Sequence, residues 1–390
     1  MKRYDGQSAG RGIDLPDCRG GERKFMSKYL LILLWVGFMA VAAPVLGAQR
    51  QELVMGKPEQ RLRPGFAILV FAPVVWMAAT RGYIADTGQY LATYASMPSS
   101  FSGMGAYLDT VTKDKGFYAF SCLIKILSGG NTLIYLLVIA LIQGGILIAV
   151  YRKYSPDYIL SVFLFLVSSD YFSWMFNGIR QFMAVVLIFA ATGWMLQKKW
   201  IPALVMILLA STMHQSALIM IPILLIVQGP AWNKRTVLFL LAALVAIAFV
   251  DQFTNILDDM MQETQYANMV SDWTEWDDDG TNALRVVVYA VPTVLSVIGL
   301  PYIRAENDPV INFCTNMSIV STGLYIISMF TSGIFMGRLP IYASLYNYIL
   351  LPWEIDHMFT RDSARLVKIV MVVAYLGFYY YQMHLTWGFM

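Results

Sequence analysis

Apolar runs long enough to cross a hydrocarbon layer recur from Tyr29 almost to the C-terminus. That recurrence decides the fold class. In lipid, backbone N–H and C=O groups have no water to bond, so a chain that crosses repeatedly must satisfy them inside helices or a closed barrel. A straight helical span takes about 20 apolar residues. Of the 390 residues, 58% are hydrophobic and 14% charged, against about 25% charged in soluble domains. The sequence therefore predicts an all-α, polytopic helical membrane protein with a single transmembrane domain over 29–390. A basic tail, 1–28, precedes it and is not expected to fold. Spans are expected near 29–46, 65–80, 131–150, 157–174, 177–197, 200–213, 215–228, 234–250, 284–302, 309–330, 339–352 and 366–384, about twelve in all, several of them short or broken. The pair 200–213 and 215–228 fits either two short spans or one helix interrupted at the polar Thr212–Gln215 stretch. The segment from Gly116 to Leu127 carries Lys125, is too short to cross, and is expected to lie at the interface.

Lysine and arginine in the short connections orient such a chain. Arg152 with Lys153, Lys198 with Lys199, Lys234 with Arg235, Arg304, and Arg361, Arg365 and Lys368 fall in alternate connections. All then lie on one side, which the positive-inside rule makes cytoplasmic. The long loops 81–115 and 251–283 fall on the other side, with Asp86, Asn177, Arg180, His214 and Arg338. The basic tail falls on that outer side too, against its charge. A net charge of +3 gives no reason to expect nucleic acid. Cys18, Cys122 and Cys314 form no CxxC pair, and no disulfide framework, metal site or other cofactor is expected.

In SWMFNGIRQFMAVVL, Arg180 and Gln181 open an apolar run that reaches Leu196. An arginine near a membrane core costs about 2.5–3.5 kcal/mol on insertion scales, so its retention calls for a reason. Asn177, Arg180, Gln181 and Ala184 recur at spacings of three and four, which places them on one helical face. A helix starting near Asn177 would add free N–H groups and a positive dipole end. The guanidinium supplies a donor fork matched to phosphate or carboxylate oxygens. The bland alternative is an arginine that snorkels to headgroups or pairs with an internal acid such as Asp170.

Other polar residues fall at the same outer level. RGYIADTGQY offers Arg81, Asp86, Thr87 and Tyr90, a set that suits a sugar: carboxylates bind hydroxyls and aromatic faces cover the apolar face of the ring. The same composition also fits an ordinary boundary loop. His214, in STMHQSALIMIP, stands between two apolar half-segments, where a neutral imidazole could accept a proton or simply bond Ser211 or Ser216. Arg338 and Tyr342 lie in FMGRLPIYASLY, and Arg285 opens the span after the acidic loop. Two or more arginines converging on one cavity would suit a pyrophosphate. EWDDDG begins like a calcium loop, but position twelve is Val286 rather than glutamate, so the match fails. Asn316-Met-Ser has the form of a glycosylation acceptor but falls inside an apolar span.

Taken in order, RGYIADTGQY, FNGIRQFMAVVLIFAATGWMLQKK, ASTMHQSALIMIPI and MGRLPIYASLY resemble the EpsG family, exopolysaccharide polymerases related to Wzy-type O-antigen polymerases. The resemblance covers most of Arg81 to Pro352 and leaves out the tail and the acidic loop. It implies a metal-independent glycosyltransferase in the bacterial inner membrane, multi-pass, with its active site facing the periplasm. The substrate class it implies is an oligosaccharide repeat unit on undecaprenyl pyrophosphate, within the membrane lipid. The growing chain would pass from its carrier to an incoming unit. Partners implied are a flippase, a chain-length regulator and export proteins. Arg180, Arg338 and possible helpers Arg81 and Arg285 would hold the pyrophosphate. His214 would be the base on the acceptor hydroxyl, with Asp86 as its rival. Asn177, Gln181, Tyr90 and Tyr342 would contact sugar or phosphate. Alternatives are a lipid-linked oligosaccharide flippase, or a membrane O-acyltransferase or O-antigen ligase. A flippase would share the arginines but should show repeated halves, and none is seen. A deletion strain separates the readings: single lipid-linked units accumulate outside for a polymerase and inside for a flippase.

Overall fold

The structure is a computed structural model that describes residues 18–249, 256, 280–333 and 335–386. Most of the acidic loop, with Glu275, Asp277 and Asp279, lies outside the described residues, as does most of the basic tail. The described chain is helical apart from one hairpin. In order it runs α1 (Cys18–Val45), β1 (Gln49–Val54), β2 (Lys57–Leu62), α2 (Pro64–Ala79), α3 (Thr87–Ser96), α4 (Phe101–Thr110), α5 (Lys115–Ser128), α6 (Thr132–Tyr154) and α7 (Tyr158–Val167). A π-helical turn, Tyr171–Asn177, follows. Then come α8 (Ile179–Ala190), α9 (Thr192–Leu196), α10 (Trp200–Met213), a 3₁₀ turn (Gln215–Ile219), α11 (Met220–Ile226) and α12 (Lys234–Ala248). The remainder is α13 (Ala283–Ile298), α14 (Leu300–Glu306), α15 (Pro309–Met329), a 3₁₀ turn (Met336–Arg338), α16 (Ile341–Ser344), α17 (Asn347–Met358) and α18 (Arg361–Tyr381).

Among the described residues four helices are long and apolar enough to cross a membrane: Met26–Val45, Thr132–Tyr154, Pro309–Met329 and Arg361–His384. Two bent pairs raise the number to six: α7 with its π turn (71°) and α13 with α14 (69°). Twelve full spans are therefore not what the described residues form. The expected spans at 65–80, 177–197, 200–213 and 215–228 are helices of 10–17 residues, too short to run straight across. The connector between α1 and α2 is a β-hairpin, with Gln49 facing Leu62 and Val54 facing Lys57. Nothing in its composition had marked it as strand.

α15 is the axis of the bundle. Of its most apolar window 94% is buried, against 28% for α1 and 33% for α18, so those two are the rim. Apolar surface alone does not drive helices together in lipid, and hydroxyl bonds and small residues do that work at roughly 0.6–2 kcal/mol per bond. Thr293 on α13 bonds Ser318 and Thr322 on α15 at 2.7 Å each. Asn316 lies in the same axis. Its amide donates to the carbonyls of Val227 and Pro230 and accepts from Trp232 N–H, so the apparent glycosylation acceptor is a fully buried turn clamp.

The bundle has two distinct ends. At one, Arg152 on α6 holds Glu52 of the hairpin. Arg61 donates to the Lys153 carbonyl at 2.9 Å, Lys57 pairs with Asp308 at 3.1 Å, and Lys368 pairs with Asp356 at 2.9 Å. The basic connections from α6, α14 and α18 thus gather on one side. α2 leaves that side and carries the chain to Arg81; α6 runs back antiparallel beside it. Their seam is tight at Gly144, where a Cβ would lie 2.4 Å from Val75 Cγ2 and 3.3 Å from Phe71. A Cβ on neighbouring Gly145 would meet nothing within 4 Å. Gly144→Val is expected to cost about 1–3 kcal/mol by overpacking, seen as a lower unfolding midpoint in detergent, whereas Gly145→Ala is expected to leave the midpoint as high or slightly higher.

Candidate active site

The end opposite the hairpin collects the polar residues that the sequence placed outside, and three chain breaks build it. The first is the junction of the π turn with α8. Gly178 stands between them because a Cβ there would lie 2.8 Å from the Trp174 ring. α8 starts at Ile179, so Asn177 closes the π turn and does not share a helical face with Arg180. The two diverge to different acids. Asn177, with its amide nitrogen turned to the carboxylate, donates to both oxygens of Asp86 at 3.1 and 3.2 Å. Arg180 Nη1 donates to Asp114 Oδ2 at 3.0 Å and to the Tyr118 hydroxyl at 3.2 Å, and its guanidinium lies over the Tyr118 ring.

The second break is His214. Its backbone is extended (φ −158°, ψ 121°) and separates α10 from the 3₁₀ turn. The hydroxyls of Ser211 and Thr212 bond carbonyls three residues back, at 2.7 Å each, so Ser211 is not the histidine's partner. His214 Nδ1 lies 2.7 Å from Ser216 Oγ, which lies 2.9 Å from the Tyr342 hydroxyl. The third break is the 3₁₀ turn at Arg338. Gln181 Nε2 donates to the Arg338 carbonyl at 2.9 Å, and the Arg338 side chain is exposed. Arg180 and Arg338 both act electrostatically on Asp86 and on His214. Arg180, Arg338, His214, Asp86, Asn177, Gln181 and Tyr342 therefore meet at one end. A recess of ≈ 90 Å³ there is walled by Asp86, Tyr90, Phe117, Tyr118, Tyr135 and Arg180.

Asp114 ties the first two breaks together, and little in its local sequence singles it out. It sits in the left-handed region (φ 54°) just before α5, with its side chain fully buried. Oδ1 accepts from Gln215 N–H at 3.2 Å while Oδ2 accepts from Arg180. Burial raises its carboxyl above the usual range, and Arg180 and the Gln215 N–H act against that. Burial raises Asp86 as well, opposed by Arg338 and then Arg180. Gly116 lets α5 reach this position: a Cβ there would lie 2.2 Å from Thr212 Oγ1. The one available signal was the Asp-Lys-Gly opening of the expected interfacial segment, since an acid before a helix start favours its N–H groups. Lys125, noted for stopping that segment from crossing, is buried and donates to the carbonyls of Ala95 and Met97.

EpsG family sequences match residues 66–387, which is most of the chain and includes all three breaks. The chain belongs to the EpsG family. No curated protein and no solved structure matches it.

Two residues nominated on the family resemblance stand apart from the EpsG cluster. Arg81 is buried, donates to the Met175 carbonyl and lies 4.9 Å from the Phe176 ring centre. It braces the π turn behind Tyr90 and Tyr135, and among the described residues its Nε has no hydrogen-bond partner. Arg285 lies over the Tyr289 ring and acts on Asp170. Asp170 is fully buried and accepts from Tyr289 and Tyr348 hydroxyls at 2.5 Å each. Arg285 does not join Arg180 and Arg338, and Asp170 is not the acid that Arg180 meets. Among the described residues no group of His, Cys, Asp and Glu has the arrangement of a metal site.

The Asp114–Arg180 pair predicts coupling. Asp114→Asn keeps a residue tolerant of positive φ and removes the charge. With Arg180 30% exposed, the loss is expected to be about 1–3 kcal/mol. Adding Arg180→Met to that variant is expected to cost less than Arg180→Met alone, measured as unfolding midpoints in a double-mutant cycle.

Proposed function

We propose that this EpsG family member is an exopolysaccharide polymerase. It would join lipid-pyrophosphate-linked oligosaccharide units at the end of the bundle that carries Arg180, outside the bacterial inner membrane. The observation that carries the reading is the convergence of Arg180 and Arg338 on the region of Asp86 and His214. A glycosyl–pyrophosphate bond already holds the free energy of transfer. The protein's part is to stabilise charge on the departing pyrophosphate and to take a proton from the acceptor hydroxyl. Arg338, exposed, presents donors to the phosphate first. Arg180 presents the part of its fork that Asp114 leaves uncovered. Asp114 fixes that fork before substrate arrives, so no reorganisation is needed as charge develops.

His214 takes the acceptor proton. When Nδ1–H donates to Ser216, which in turn meets Tyr342, the opposite ring nitrogen carries the lone pair. Asp86, steered by Asn177, is the rival base. Tyr90, Tyr118 and Phe117 offer rings on which a sugar's apolar face can lie. The positive-inside count puts the basic hairpin end in the cytoplasm, which supports an outward-facing site. In a reconstituted assay with a lipid-linked repeat unit, Arg180→Ala is expected to lower polymer formation about 10²–10³-fold with the protein still folded in the membrane. His214→Ala is expected to lower it about 10²–10⁴-fold. A normal polymer ladder from Arg180→Ala would refute the arginine role, and a loss confined to Asp86→Asn would move the base to Asp86.

A further inference from the structure

A trough of ≈ 700 Å³ runs along the rim between α1 and α18, floored by α7. Its walls are apolar: Leu33 and Gly37 on one side, Val372 and Leu376 on the other, with Leu160 and Phe163 beneath. Towards the Arg180 end it stops where Tyr29 stacks on Tyr379, centroids 5.1 Å apart, and bonds the Leu166 carbonyl at 2.6 Å. Towards the hairpin end it opens into a polar recess of ≈ 390 Å³ that shares Ala40, Asp157, Ile159 and Lys368 with it. Gly37 keeps the trough wide, since a Cβ there would meet nothing within 4 Å.

Length and charge identify an occupant. From Leu30 to Ala40 the trough follows ten residues of helix, about 15 Å, which is half of the ~30 Å hydrocarbon core. It is as long as one leaflet is deep, with a polar recess where headgroups lie. The recess is lined by three cations, Arg61, Arg152 and Lys368, and two acids, Asp157 and Asp356. Lys368 Nζ lies 2.9 Å from Asp356 and 3.6 Å from Asp157. An anionic head that drew Lys368 away would leave both acids unmatched. A head carrying phosphate and ammonium together replaces each interaction it disturbs.

We propose that the trough and recess bind one glycerophospholipid with a primary ammonium headgroup, drawn from the leaflet at the hairpin end. One acyl chain lies between α1 and α18 over Phe163, its phosphate meets Lys368, and its ammonium meets Asp157 and Asp356. This site is separate from the Arg180 cluster and does not rest on the polymerase reading.

The test uses the full chain, delipidated in detergent and titrated with phosphatidylethanolamine or phosphatidylglycerol under native mass spectrometry. One phosphatidylethanolamine is expected to be retained at concentrations where phosphatidylglycerol is lost. Gly37→Trp is expected to abolish retention, and Lys368→Ala to weaken it about fivefold, as one basic residue near a headgroup does. Should Gly37→Trp fail to fold, the unaltered chain decides. Phosphatidylethanolamine with a photoreactive acyl chain is expected to crosslink to Leu33, Gly37, Phe163 and Val372. Equal or tighter phosphatidylglycerol binding, crosslinks spread evenly over the outer faces of α1 and α18, or a second copy of the chain in place of lipid would each overturn the proposal.

Discussion

One buried carboxylate organises the polar end of this bundle. Asp114 is shared between a guanidinium from α8 and a backbone N–H from the break after α10, and it belongs to the loop that opens α5. An unpaired carboxylate in that position would carry a desolvation cost of several kcal/mol. Three segments distant in sequence are therefore locked to one another by a single group. The same contact explains how Arg180 is tolerated at the mouth of an apolar run. It does not reach for headgroups, because its charge is met within the protein by Asp114 and its guanidinium lies over the Tyr118 ring.

The breaks matter as much as the helices. His214, the π turn ending at Asn177 and the 3₁₀ turn at Arg338 each interrupt a segment that could otherwise have continued. Irregular backbone at membrane depth is tolerated only where protein or a water-filled cavity surrounds it. Gly178 against Trp174 and Gly116 against Thr212 show how that surrounding is achieved: the neighbour fills the place of the missing side chain.

What was legible in the sequence follows from which information is local. Hydropathy sufficed for the helical membrane class, and charge placement for the gathering of Arg152, Arg304 and Lys368 away from Arg180. The interruption at His214 could be read because Ser211, Thr212, His214 and Gln215 are polar in an apolar context. The number of full spans could not, because a 71° bend at a Ser-Ser-Asp stretch leaves no mark in average hydropathy. The hairpin over 49–62 was missed because its polar face and short length match an ordinary loop. Partnerships were least legible: Asp114 lies 66 residues from Arg180, and its selection over Asp170 depends on packing. Arg285 resembles Arg338 by position at a span's end, yet faces the buried Tyr289 and Asp170 instead.

The hairpin between α1 and α2 carries a last, mechanical implication. Its strands are pinned to α6 by Arg61 and Arg152 and to the start of α15 by Lys57. A rim helix, a core pair and the central axis are thereby fastened at the same edge. Shifting any one of them there would strain the others, so that edge behaves as the fixed foot of a vase. Whatever widening the bundle allows falls to the opposite end, where short helices meet at joints.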